Sequence, residues 1–150
     1  MSRIPLALLF VLLFAHVSTA VAQTAEADLV IGNWLVQDKK AKVQIFKRGN
    51  TYFGKIVWLK EPTNEDGTPK LDKENPESKR RSRPILGLEL LRDFVYDEDR
   101  VWEDGEIYDP KNGKTYSCKM TLSEDNRTLE VRGFIGISLL GRTQVWSRTE

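Results

Sequence analysis

The sequence predicts an all-β protein, a single antiparallel barrel or sandwich of about eight to ten short strands. Two observations lead to this prediction. Short runs in which apolar and polar residues alternate recur from residue 31 to residue 148. Glycines, prolines and Asn-Gly pairs separate these runs at regular spacing, as turns separate the strands of a hairpin-rich fold.

The first 22 residues are expected to lie outside this fold. Arg3 precedes an almost wholly apolar run at residues 4–17, and small residues with an A-x-A pattern follow, ending at Ala22. This pattern is typical of a secretory signal peptide that is removed after Ala22. The apolar run is shorter than the roughly 20 residues that a transmembrane helix needs. We therefore expect a single domain at residues 23–150, exported to the periplasm or secreted.

The composition of the mature chain argues against several classes of function. Without Arg3 it has 22 basic and 22 acidic residues, so net charge gives no attraction to nucleic acid. The only histidine, His16, lies in the predicted leader, which removes histidine-dependent catalysis and histidine metal sites. Cys118 alternates along a predicted strand, and we expect it to be buried and inert. The sequence predicts no cofactor and no metal site.

The strands follow in order along the mature chain. The clearest hairpin joins the alternating run at residues 42–47 to the run at residues 51–59 through Arg48-Gly49-Asn50. Residues 85–94 fit either a strand or one helical turn. The remaining predicted strands are residues 31–37, 100–108, 114–122, 127–134 and 140–148.

Residues 60–84 are predicted to form a long polar surface loop. They contain four prolines and many charges, with a possible helical turn after Asn75-Pro76. The spacing of the loop acids does not match a calcium-binding loop, and we interpret Asp72 and Asn75 as a turn lock. The basic run at residues 79–83 has the charge to bind an anionic group but is interpreted as a solvated rim.

The stretch VWEDGEIYDPKNGKTYSC, residues 101–118, carries four carboxylates and is a candidate acid–base site. Glu103 and Asp104 are adjacent, so on a strand they point apart, whereas Asp104 and Glu106 share a face unless a bulge at Gly105 resets the register. Glycosidase carboxyls must converge on one bond at roughly 5–10 Å. We interpret the stretch as a hairpin with its turn at residues 109–113.

Two short motifs resemble those of lipocalin and calycin barrels. Gly32-Asn33-Trp34 opens the first strand, and Trp146-Ser147-Arg148 ends the last. The resemblance implies that Gly32, Trp34 and Arg148 close one barrel end, with the arginine over the indole.

Six ordered segments resemble an exported bacterial family filed as domain of unknown function 2147. They are GNW (32–34), YFGKIVWLKEP (52–62), DKENP (72–76), RPILGLELL (83–91), GEIYDPKNGKTYSCKM (105–120) and VRGFIGISLLGRTQVWSR (131–148). The resemblance implies a lipocalin-like barrel and no catalytic residues.

The leading functional hypothesis is non-catalytic binding of a small apolar or amphipathic molecule inside the barrel. Small barrels of about eight strands either fill their interior with side chains or hold one small ligand. Gly54, Gly133 and Gly136 would leave room there, although a close approach of the backbone to its neighbours explains these glycines equally well. The residues predicted to face the interior are Trp34, Tyr52, Ile56, Trp58, Trp102 and Trp146.

Two other classes of function stay open. One is a structural or protein-interaction module of the cell envelope, which would combine a filled barrel with an exposed apolar patch. The other is a hydrolase acting on an envelope glycan or lipid through carboxylates alone, which would show two carboxyls converging in a cleft. The sequence contains no recognisable catalytic motif and names no protein partner.

Overall fold

Eight antiparallel strands close into a barrel in which each strand pairs with the next along the chain and the last pairs with the first. The computed structural model describes residues 20–150, so the predicted leader lies outside the described residues except for residues 20–22. The strands are β1 (Gly32–Leu35), β2 (Ala41–Arg48), β3 (Thr51–Leu59), β4 (Glu89–Tyr96), β5 (Val101–Asp109), β6 (Lys114–Leu122), β7 (Thr128–Phe134) and β8 (Arg142–Thr149). The all-β barrel prediction is confirmed.

The strand boundaries follow the alternating runs closely. β3 and β6 have the predicted bounds, and the ambiguous run at residues 85–94 forms β4 from Glu89. Outside the barrel, residues 20–27 are helical and Asp28–Val30 form a turn of 3-10 helix. Further 3-10 turns occur at Ser78–Arg80 and Ser138–Leu140. The predicted polar loop is therefore a connection over residues 60–88 that contains one helical turn.

The up-and-down topology gives the barrel two different ends. We define the closed end by residues 20–31 and the connections 49–50, 97–100 and 123–127, and the open end by the connections 36–40, 60–88, 110–113 and 135–141. Connections at the closed end are short, whereas the two longest lie at the open end.

Large side chains fill the closed half of the barrel. Trp34, Trp102 and Phe94 are fully buried there, and the Tyr52 ring meets Trp102 edge-on. Of the two interpretations of Gly54, close approach holds and room for a ligand does not, because Leu91 and Val43 pack against it. Gly105 is likewise covered, by the Phe94 ring. Both glycines permit close packing.

The placement of Trp58 in the interior is wrong. In the pairing of β2 with β3, Lys42 faces Trp58 and Val43 faces Ile56, so Val57 is an extra residue in β3. This bulge reverses the alternation, and Trp58 points outward with 41% of its surface exposed. Its ring lies beside Lys42, whose Nζ is 5.8 Å from the ring centroid.

A second bulge lies in β5 between Trp102 and Gly105, where Asp104 has a left-handed backbone (φ 58°). It keeps Trp102 inside the barrel and also turns Gly105 and Ile107 inward. Asp104 and Glu106 are both exposed. The register change that the sequence allows at Gly105 is therefore present.

Candidate ligand-binding cavity

The open half of the barrel holds a cavity of about 1370 Å³ that opens to solvent at the open end. Its floor is the packed core of the closed half, and its walls come from strands β2 to β8 together with the loops of the open end. A binding barrel requires a cavity of at least ~300 Å³, and this requirement is met.

The walls of the cavity are mainly apolar. The strands contribute inward side chains at every second position, and the 60–88 connection adds Leu71 and Ile85. The apolar lining consists of Val36, Ala41, Ile56, Leu59, Leu71, Ile85, Leu90, Ile107, Val131, Phe134, Ile135, Leu140 and Trp146.

Charged side chains surround the mouth of this cavity. Two basic residues of the lining are paired: Lys111 Nζ lies 3.6 Å from Asp38, and Lys70 Nζ lies 3.3 Å from Glu61. Four others have no carboxylate within 4.0 Å among residues 20–150. These rim cations are Lys40, Lys60, Lys73 and Arg142. The mouth can therefore receive a negatively charged group.

The structure separates the predicted interior residues into three groups. Ile56 and Trp146 line the cavity, and the Trp146 indole donates to Gln144 Oε1 at 3.0 Å. Trp34, Tyr52 and Trp102 belong to the closed-end core and do not line it. Trp58 lies on the outer wall. Of the glycines, Gly133 borders the cavity and Gly136 lies in the 135–141 connection.

Gly32, Trp34 and Arg148 lie together at the closed end. The Arg148 guanidinium stands 4.2 Å from the centroid of the buried Trp34 ring and donates to the carbonyls of Leu29, Ile31 and Asn126. Gly32 has φ 142°, and a Cβ there would lie 2.7 Å from an Arg148 Nη. Glycine is required on both grounds. Burial lowers the pKa of Arg148.

The segment at residues 26–31 seals the closed end, and we call it the plug. Its backbone carbonyls accept hydrogen bonds from the two buried indoles. Trp34 Nε1 donates to the Val30 carbonyl at 3.0 Å, and Trp102 Nε1 donates to the Ala27 carbonyl at 3.1 Å. Asp28 accepts from Tyr52 and Lys47 at 2.7 and 2.8 Å. These hydrogen bonds lower the pKa of Asp28. The pKa of Tyr52 is raised, first because its hydroxyl is buried and then because it donates to the Asp28 carboxylate. The plug was not predicted from the sequence, because nothing in it alternates.

A buried polar cluster fixes the long connection to the barrel. Asp72 is fully buried and accepts from Tyr108 Oη (2.6 Å), Asn75 Nδ2 (2.8 Å) and Arg83 Nε (2.8 Å). Burial disfavours its charged form, but the three hydrogen bonds and the Arg83 charge outweigh burial and lower its pKa. Asn75 Oδ1 also accepts the Glu77 amide, as expected for a turn lock.

The carboxylates of residues 101–118 do not meet inside the cavity. Glu103 pairs across the sheet with the exposed Val95, which places it on the outer wall with Asp104 and Glu106. Asp109 begins the turn and accepts hydrogen bonds from the backbone N–H groups of Lys111 and Gly113. The stretch is a hairpin, as interpreted from the sequence.

Cys118 faces the core and is 1% exposed, so its predicted burial is confirmed. Burial raises the pKa of its thiol to about 12, which keeps the reactive thiolate absent at neutral pH. Among residues 20–150, no group of three or more His, Cys, Asp or Glu side chains is placed to hold a metal ion.

Comparison with known proteins supports the fold and the family. The model of DUF2147, described as an uncharacterized protein conserved in bacteria, matches residues 32–148. The barrel is similar to a solved structure described as protein HP1028 from the human pathogen Helicobacter pylori, which belongs to the lipocalin family. The TM-score is 0.69 at 24% identity, covering 81% of this chain and 83% of that one. No curated protein matches significantly. Within residues 20–150, no helix has the length and apolar character to cross a bilayer.

Proposed function

We propose that this chain, which belongs to the bacterial family DUF2147 and folds as a lipocalin-like barrel, binds one amphipathic molecule in its open half. The ligand places an apolar chain in the cavity and an acidic head group among the rim cations. The observation that carries the proposal is the combination of an apolar cavity of about 1370 Å³ with unpaired cations around its mouth.

The volume and the lining both favour a ligand of this kind. Known small-molecule sites enclose about 300–1,000 Å³ and combine apolar walls with a few polar groups that orient the ligand. This cavity lies above that range, so its volume does not limit the ligand to the smallest molecules. A wholly apolar ligand would leave the rim cations without partners, whereas an acidic head group would satisfy them with charge-assisted hydrogen bonds.

The outer-wall position of Glu103, Asp104 and Glu106 gives no support to a carboxylate hydrolase, since these groups do not face the space where a substrate would bind. The open cavity also differs from the filled barrel that a purely structural module would have. Binding therefore accounts for more of the structure than either alternative.

The test is native mass spectrometry with three probes that share one twelve-carbon chain: dodecanoic acid, dodecanol and dodecyltrimethylammonium. We expect one molecule of the acid per chain, with affinity about tenfold above the alcohol and the cation weakest. Equal binding of all three probes would overturn the role of the rim cations, and no binding of any would overturn the binding function.

A matched pair of variants on β2 tests the location. Ala41→Trp fills the mouth from an inward position, whereas Gln44→Trp adds the same side chain on the outer wall. We expect Ala41→Trp to lower the affinity for dodecanoic acid about tenfold and Gln44→Trp to leave it unchanged. Equal affinities would place the ligand elsewhere.

We also propose that the protein acts outside the cytoplasm, since the leader pattern at residues 1–22 supports export. The described plug begins after the predicted cleavage position and would remain in the mature chain. Intact-mass measurement of the protein from its own host is expected to show a chain that starts at Gln23. A chain that keeps Met1 would contradict export through this leader.

A further inference from the structure

The connection between β7 and β8 carries the largest group of exposed apolar side chains among the described residues. Ile135, Ile137, Leu139 and Leu140 are 74%, 60%, 81% and 78% exposed, and the segment contains no charge. We call residues 135–140 the rim loop. Exposed apolar side chains concentrated in one segment mark an interaction site more often than scattered ones do.

The rim loop is held in this exposed form by a specific structure. Arg132 extends from the outer face of β7, and its Nε and Nη2 donate to the carbonyls of Ser138 (2.6 Å) and Leu139 (3.1 Å). Its Nη1 donates to Thr143 Oγ1 at 2.7 Å. At the base, Gly141 lies so close to the Gly133 carbonyl that a Cβ would be 2.5 Å from it. Arg132 thus holds two carbonyls of the loop backbone while the four apolar side chains of the loop are exposed to solvent.

Charge is distributed unequally between the two ends of the barrel. The connections of the open end contain ten basic and seven acidic residues, whereas residues 20–31 and the connections of the closed end contain two basic and seven acidic residues. The barrel is therefore a dipole whose positive end carries the rim loop and the cavity mouth. Such an end is attracted to a negatively charged surface and the opposite end is repelled.

We propose that the open end docks on an anionic lipid bilayer, with the rim loop inserted at the level of the lipid head groups. A few inserted apolar side chains combined with basic residues near the surface are the two signals that peripheral membrane binding requires. A second copy of the chain fits less well, because a stable protein interface buries about 800 Å² on each partner and a six-residue loop is smaller than that. Docking in this orientation turns the cavity mouth toward the bilayer, since Ile135 and Leu140 also border the cavity.

Vesicle flotation tests the docking surface. The protein is mixed with vesicles of equal parts phosphatidylglycerol and phosphatidylethanolamine, or of phosphatidylcholine alone. Ile137→Ser/Leu139→Ser changes two rim-loop residues that do not line the cavity. Val95→Ser/Val145→Ser is the matched control, since these valines are 44% and 43% exposed on the outer wall.

We expect the wild type and the control to float with anionic vesicles, and the rim-loop variant to bind at least about tenfold more weakly. Binding to phosphatidylcholine should be weak, and added salt should lower anionic binding because it screens the charges. Failure of the wild type to bind anionic vesicles, or unchanged binding by the rim-loop variant, would overturn the proposal. So would a dimer in light scattering that the rim-loop substitutions dissociate.

Dodecanoic acid binding without vesicles separates this proposal from the proposed function. The rim-loop variant is expected to keep it, which also shows that the variant is folded. If vesicle binding depends on the rim loop while neither the wild type nor any variant binds dodecanoic acid, docking stands and the ligand proposal falls.

Discussion

Gly105 is the glycine of the closed-end core with the least room for a side chain. It faces inward from β5, and a Cβ there would overlap the Phe94 ring on β4. The neighbouring bulge at Asp104 fixes this register, so the strand cannot turn the new atom away. An interior at crystal-like density has no room for one more carbon without a shift of the ring or backbone.

Gly105→Ala is therefore expected to lower the free energy of unfolding by about 2 kcal/mol. Gly133→Ala is the control: it too adds one methyl to an inward strand position, but its nearest neighbour, an Ile107 methyl carbon, is 3.4 Å away. Urea denaturation of both variants measures the difference. Equal losses would show that the close approach of Phe94 is not the cause.

Trp58 is the one tryptophan of the four that the fold exposes, since Trp34, Trp102 and Trp146 are at most 1% exposed. We expect iodide to quench a single component of the fluorescence of the folded protein. Trp58→Phe should abolish that component and leave stability unchanged within about 0.5 kcal/mol, as for other surface positions. Residual quenching of similar size in the variant would argue against the bulge at Val57.

At the scale of elements, one buried carboxylate links the middle of the connection of residues 60–88 to the barrel wall. Asp72 joins Arg83 of the same connection to Tyr108 of β5, and the Glu74 carbonyl approaches Gly113 in the turn between β5 and β6. A polar loop of this length is held by buried hydrogen bonds and not by a core of its own.

Asp72→Asn should destabilise the fold by about 2 kcal/mol at neutral pH. The pKa of the folded carboxyl lies below its ordinary value of 3.8, so the stabilisation is fully present above 3.8 and is lost as pH falls through the lower folded value. The difference between wild type and variant should therefore shrink below about pH 3.8. Urea unfolding at pH 7 and pH 3 measures it, and a difference that stays constant would show that ionisation of Asp72 contributes nothing.

The plug is a second element whose contribution can be isolated. A chain of residues 32–150 lacks the carbonyl acceptors of Trp34 and Trp102 and the carboxylate that binds Tyr52. We expect its free energy of unfolding to fall by more than about 3 kcal/mol, because three buried hydrogen-bond donors are left without partners. A chain of residues 26–150 loses only exposed residues relative to a chain of residues 23–150 and should match it in thermal unfolding. Equal stability of all three chains would remove the plug from the folded core.

The elements could be predicted from the sequence better than their contacts, for identifiable physical reasons. The runs of β3 and β6 alternate because one face of each strand is buried, and that periodicity is local. The bulge at Val57 depends on how β3 pairs with β2, which a local pattern does not contain. Simple alternation therefore predicted an inward Trp58, whereas its side chain faces outward. The plug is held by bonds between residues as far apart as Ala27 and Trp102. The cavity was predicted only as a possibility of small barrels, since volume depends on how all the walls meet.

At the scale of the whole molecule, closure makes every strand depend on two neighbours. The barrel closes where β1 pairs with β8, and this seam is short, with three partner pairs from Asn33 to Leu35. Arg148 supports that seam, because its guanidinium joins the plug carbonyls of Leu29 and Ile31 to the 123–127 connection through Asn126. We therefore expect residues 23–150 to unfold as one cooperative domain, with coincident transitions by tryptophan fluorescence and far-UV circular dichroism.

Arg148→Lys tests this seam. Lysine keeps the positive charge, but its single ammonium group cannot donate to all three carbonyls as the planar guanidinium does. We expect the free energy of unfolding to fall by about 2 kcal/mol. The transitions by fluorescence and circular dichroism should still coincide, because opening the seam opens the whole barrel. Arg142→Lys makes the same change at the other end of β8, at an exposed position, and should be neutral. If the probes separate in the Arg148 variant, the seam opens independently and the barrel is not one cooperative unit.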